Sequence, residues 1–69
     1  MNIEKSIRRG MAYKGVNSQL ALANISKVDV MTISAAVNDK PTSLSTVRKI
    51  ADALGYSVSD FIKLGEDNE

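Results

Sequence analysis

The chain of 69 residues contains no cysteine and no histidine. Neither a disulfide framework nor a thiolate site is available, and with both residue types missing the common zinc sites are excluded. The same absences remove the thiolate nucleophile and the usual general base. No glycine-rich phosphate loop is present, and the Asp and Glu residues gather toward the C-terminal end, so an enzyme has little support. The longest apolar run is far short of a membrane span, and the first residues lack the apolar stretch of a signal peptide. A soluble chain in a reducing compartment is expected. Its length suits one small domain near the lower limit for a core without disulfides or metal, and helices are the economical way to build it.

What is present is a division of charge. Residues 1–49 hold eight cations (Lys5, Arg8, Arg9, Lys14, Lys27, Lys40, Arg48, Lys49) and three anions, a balance of +5. Residues 50–69 hold Lys63 against five anions, a balance of −4. A basic front with an acidic end suits a polyanionic partner bound in one orientation, although solvated faces give the same count.

Periodicity predicts five helices and no strand. Ile3, Ile7 and Met11 recur at steps of four over residues 2–14, with Asn2 as the N-cap. Gly10 weakens this helix by about 1 kcal/mol relative to Ala. Gly15 ends it, and Val16 is expected to reach the core. The segment 38–42 reads as a turn, because Pro41 disfavours helix at Lys40 and lacks a donor. Ser43 then caps a fourth helix expected to bury Leu44, Val47, Ile50, Ala51 and Leu54, and Gly55 stops it. Ser57 with Asp60 resembles a capping box for a fifth helix with Val58, Phe61 and Ile62 on its apolar face. Residues 1–64 are therefore expected to form the domain, and residues 65–69 a frayed polar tail.

Residues 18–39 carry the most specific pattern, two short helices around a tight turn. Ser18 caps the first, which buries Leu22 and Ala23; Lys27, Val28 and Asp29 form the turn, and Asp29 starts the second helix. At about 100° per residue Val30, Ile33, Ala36 and Val37 share one face of the second helix, and Met31, Ser34, Ala35 and Asn38 the other. A helix-turn-helix needs a small residue where its helices cross, an apolar residue after the turn and an apolar anchor in the second helix. Ala23, Val28 and Ile33 meet those needs.

With Ser18-Gln19, Leu22-Ala23, Val28 and Ile33, then Pro41-Thr42-Ser43-Leu44 and the run from Ile50 to Val58, the chain resembles the helix-turn-helix family of phage Cro and lambda-type repressors. The likeness extends from about Ile3 to Leu64. It implies an all-α, compact five-helix domain of the lambda repressor-like fold, acting as a sequence-specific transcriptional regulator whose second motif helix, residues 29–38, enters the major groove of double-stranded DNA. A Cro-like phage or prophage repressor is the form expected, working in the cytoplasm of a bacterial cell or an infected host and associated there with the nucleoid. Gln19 is implied as a phosphate anchor.

The chain departs from the family at three places. Lys27 replaces the usual turn glycine, which forces a left-handed conformation on a residue with a side chain. The family's ion pair between a helix 1 arginine and a late recognition-helix glutamate is missing, because Val37 takes the glutamate position. The groove face offers no Arg or Gln for bidentate base contacts. Base readout is therefore assigned to Val30, Met31 and Ala35 on thymine methyls and to Ser34 and Asn38 by hydrogen bonds. Ser18, Gln19, Lys27, Lys40, Thr42 and Ser43 are assigned to phosphate, and Arg8 and Arg9 are expected to be solvated.

No cofactor or small-molecule ligand is expected. The expected partners are a two-fold symmetric operator and a second copy of the chain, held weakly or only on DNA through Tyr56, Phe61 and Leu64. In the competing reading Phe61 is wholly core. A different class remains open: a protein-binding module, anti-repressor or antitoxin-like, that uses the apolar face of the same helix.

Overall fold

The computed structural model describes residues 3–66. Five helices follow one another: α1 Ile3–Lys14, α2 Gln19–Ser26, α3 Val30–Val37, α4 Leu44–Ala53 and α5 Val58–Leu64. Four begin as their sequences demand, with a side-chain oxygen of Ser18, Asp29, Ser43 or Ser57 accepting from a backbone N–H of the first turn. The assignment of Asn2 as a cap lies outside the described residues.

Besides α2, which ends on the left-handed Lys27, three helices end on left-handed residues. Gly15 (φ 71°) and Gly55 (φ 81°) take that conformation freely, while Asp39 (φ 62°) takes it with a side chain. In each case the next residue's N–H reaches back to a carbonyl of the last turn: Val16 to Met11 (2.9 Å), Lys40 to Ala35 (3.0 Å) and Tyr56 to Ala51 (2.9 Å). These bonds satisfy carbonyls that the helices would leave open.

The core is one cluster. Ile7, Leu22, Ile33, Ile50, Leu54 and Phe61 lie at its centre, with Ala23, Val28, Ala36, Val37, Val47 and Ala51 around them. α1 packs on α3 and α5, α2 on α3 and α4, and α4 on α5. Val16 packs against this cluster as its sequence position suggests.

Four expectations need correction. Leu44 is 61% exposed, although its spacing matched the buried residues of α4. It lies within about 20° of buried Ala51 around the helix but is the first residue of α4, about 10 Å along the axis from Ala51, so it is its position at the end of the helix that leaves it outside the core. Phe61 is 0% exposed, so it offers no surface to a second copy and takes the core role instead. Arg9 is not simply solvated, since its Nη1 donates to the Leu64 carbonyl at 2.7 Å. Gly65 is buried and its N–H donates to the Ile62 carbonyl at 3.0 Å, so the ordered domain continues past Leu64. The remainder of the expected tail, residues 67–69, lies outside the described residues.

Gly10 also has a purpose that helix propensity hides. A Cβ placed there would lie 2.9 Å from Leu54 Cδ1, 3.6 Å from Tyr56 Cε2 and 3.7 Å from Leu64 Cδ1. The missing side chain lets α4, α5 and their connection close onto α1.

Candidate nucleic-acid interface

α2 starts where Ser18, in extended conformation, turns its Oγ to accept from the Ala21 N–H at 3.0 Å. Gln19 is thereby the first residue of the helix, and its backbone N–H is one of the four a helix leaves without an internal acceptor. Ser18 and Gln19 line a shallow cleft of about 560 Å³ together with Met11 of α1 and Val37, the last residue of α3. The start of α2 and the end of α3 thus share one surface. Val37, in the position of the family's glutamate, is buried, and its neighbours at this cleft include apolar Met11 and the exposed Arg8, which pairs instead with Glu4 at 2.9 Å.

Lys27 makes the turn with φ 61° and ψ 28°, the left-handed conformation expected of it. That geometry lets Val28 drop into the core and brings Asp29 to the head of α3, where Oδ1 accepts from the Met31 N–H at 2.9 Å. Ile33, Ala36 and Val37 anchor the inner side of α3. The opposite side is open. Met31 is 77% exposed, Val30 37%, Asn38 is exposed, and Ser34 and Ala35 are half-buried beside them.

The two polar residues on that side face each other. Asn38 Nδ2 donates to the Ser34 carbonyl at 2.8 Å and lies 3.5 Å from Ser34 Oγ. That bond holds one of the amide's two N–H donors on its own helix and so restrains the side chain from swinging out to a base edge. Thr32, which sequence reasoning passed over, is also exposed. Its position about 100° from Met31 was the available signal, because it falls on the flank of the outward face.

Beyond α3 the chain is held closely. Lys40 is fixed by its own N–H to Ala35, and its carbonyl accepts from Thr42 Oγ1 at 3.1 Å. Ser43 Oγ accepts from the Thr46 N–H at 3.3 Å and donates to Thr46 Oγ1 at 3.0 Å. The Ser43 hydroxyl is thus committed to capping α4, and what that end of the helix offers an anion is its free backbone N–H groups. The outer face of α3 carries no charge of its own; each flank holds one exposed anion and one exposed cation, Asp29 and Lys27 before the helix and Asp39 and Lys40 after it.

Tyr56 and Leu64 belong to another part of the surface. Both are half-buried and both approach Gly10, and Lys14 Nζ stands 5.0 Å above the Tyr56 ring. Phe61 lies beneath, inside the core. Among the described residues no helix is long and apolar enough to cross a membrane.

A family model described as helix-turn-helix matches residues 17–61, a span that takes in α2, the turn, α3, α4 and the start of α5. No curated protein and no solved structure matches the chain significantly.

Proposed function

The chain belongs to the helix-turn-helix family of the lambda-repressor type, and from that DNA-binding membership we propose a sequence-specific repressor of the Cro kind, from a phage or prophage. In this reading residues 29–38 lie in the major groove of double-stranded DNA. Lys27, Lys40, Gln19 and Ser18, with the backbone N–H groups at Thr42 and Ser43, hold phosphates on either side.

The observation that carries it is the outer side of α3. Five side chains of α3, Val30, Met31, Thr32, Ser34 and Ala35, stand at the surface or half-exposed and none is charged, while Lys27 lies in the turn before the helix and Lys40 in the segment after it. Phosphate contacts from such lysines position a duplex, and the neutral face between them meets the base edges.

One small module buries a modest DNA area, so high specificity calls for two copies on a two-fold symmetric site with half-sites about one helical turn apart. Tyr56 and Leu64 are the proposed contacts between copies.

The test is binding to a fluorescent duplex at two salt concentrations, followed by footprinting on the DNA flanking the protein's own gene. Phosphate binding falls steeply as salt rises. Binding to a partner protein through the apolar Val30, Met31 and Ala35 would be nearly insensitive to salt and would leave DNA unprotected, which would overturn the reading.

A further inference from the structure

Resting on the DNA-binding reading above, we infer that α3 recognises the C5-methyl group of a pyrimidine and not the base that carries it, so that 5-methylcytosine is read as thymine. The site would then respond to cytosine methylation of its DNA. Three observations lead there.

The most exposed apolar side chain on α3 is a thioether, Met31, and next to it stands Val30. Both are suited to apolar contact and neither offers a strong donor or acceptor. On the major-groove edge the matching apolar group is a pyrimidine C5-methyl, which thymine and 5-methylcytosine both present.

The side chain best suited to distinguish the two base pairs is partly engaged on its own helix. The Asn38 amide donates back to the Ser34 carbonyl at 2.8 Å, and α3 carries no Arg, Lys, Gln, Asp or Glu. Nothing on the helix is placed to tell a guanine O6 from an adenine N6 by a bidentate contact.

What remains polar is hydroxyl, on Ser34 and Thr32. Thymine presents an acceptor at O4 where cytosine presents a donor at N4, but a hydroxyl rotates to donate or accept as required. These groups tolerate the exchange that Met31 and Val30 cannot sense. The methyl is left as the feature that is read.

The experiment starts from a duplex selected out of a random library by the protein itself. If no sequence is enriched, the sequence-specific reading fails and this inference falls with it. On the selected site each thymine is replaced in turn by uracil, by cytosine paired with guanine, and by 5-methylcytosine paired with guanine, and affinity is measured by anisotropy. At one or more positions uracil and cytosine should weaken binding by about fourfold per methyl removed. At those positions 5-methylcytosine should return the affinity to within about twofold of thymine. Met31→Ala, with its helicity checked by circular dichroism, should flatten the differences among the four pyrimidines. Uracil binding as tightly as thymine throughout, or 5-methylcytosine as weakly as cytosine, would overturn the inference. An unchanged salt dependence in that case would leave the DNA-binding reading standing.

Discussion

Arg9 and Leu64, 55 residues apart in sequence, are joined by one hydrogen bond of 2.7 Å from the guanidinium to the carbonyl. The bond places a cation at the C-terminal end of α5, where unsatisfied carbonyls gather and the helix dipole is negative. Arg8, its neighbour, makes an exposed ion pair with Glu4 inside α1. Arg9→Ala should therefore lower stability by about 1 kcal/mol, and Arg8→Ala by less than about 0.5. Thermal melts resolve the two, since 1 kcal/mol moves the midpoint of so small a domain by about 4 to 8 °C. Equal effects would mean that the long-range bond adds nothing.

The left-handed residues on either side of α3 give a paired prediction. Lys27→Gly and Asp39→Gly both relieve a conformation unfavourable to side chains, and each should raise stability by about 0.5 to 1 kcal/mol after the entropy of glycine is counted. Their effects on DNA should be opposite in sign. Losing Lys27 removes a phosphate contact and should reduce the salt slope by about 1, whereas losing the Asp39 carboxylate should leave binding equal or tighter. Urea titrations and anisotropy test both halves. A Lys27→Gly protein that binds as well as the parent would assign the lysine no part in phosphate contact.

Gln19→Ala and Lys40→Ala should weaken binding by similar factors on operator and unrelated DNA, because phosphate contacts carry no sequence information. A loss confined to the operator would move them from positioning to base readout.

Pairing of copies is tested by two residues of α5 with different burial. Phe61→Ala should destabilise the domain by about 3 to 5 kcal/mol, enough to unfold most of a protein this small. Leu64→Ser should weaken the fold less, since Leu64 is half-buried against α1, and should abolish cooperative binding to a full site. Sedimentation equilibrium with and without a full operator follows the second effect. A tight dimer without DNA that ignores Leu64→Ser would exclude this surface.

Gly10→Ala sets two magnitudes against each other. Helix propensity favours Ala by about 1 kcal/mol, but the new Cβ would meet buried Leu54 at 2.9 Å, and overpacking costs about 1 to 3 kcal/mol. The variant should be less stable by about 1 kcal/mol, measured by urea unfolding.

Caps and turns were the parts most legible in the sequence, because their chemistry is local. Ser18, Asp29, Ser43 and Ser57 each needed only their own first turn to act, and Lys27 stood where a left-handed residue was required. Periodicity also gave the inner face of α3 at Ile33, Ala36 and Val37, though not at Val30, which is 37% exposed. It failed at Leu44, because periodicity fixes direction around the helix and not how far along the axis the neighbouring helices extend to cover it. It could not foresee that Gly10 makes room for Leu54, Tyr56 and Leu64, or that Arg9 reaches α5, because both depend on contacts far along the chain. On the candidate site the identities of the outward residues were readable, but the bond from Asn38 to Ser34 was not. Sequence left both as free donors, whereas the helix consumes part of that capacity itself.

The side chains that hold α3 in place and those it turns outward are different residues. Ile33, Ala36 and Val37 face inward, and Met31, Thr32 and Asn38 face solvent. Mutation can therefore rewrite one set while selection keeps the other unchanged. A single codon change at position 31 could supply an arginine or lysine able to grip guanine without disturbing any buried neighbour. If α3 reads the groove as proposed, such a protein changes its target in one evolutionary step, and the same separation makes its outer residues a replaceable cassette for engineering new specificities.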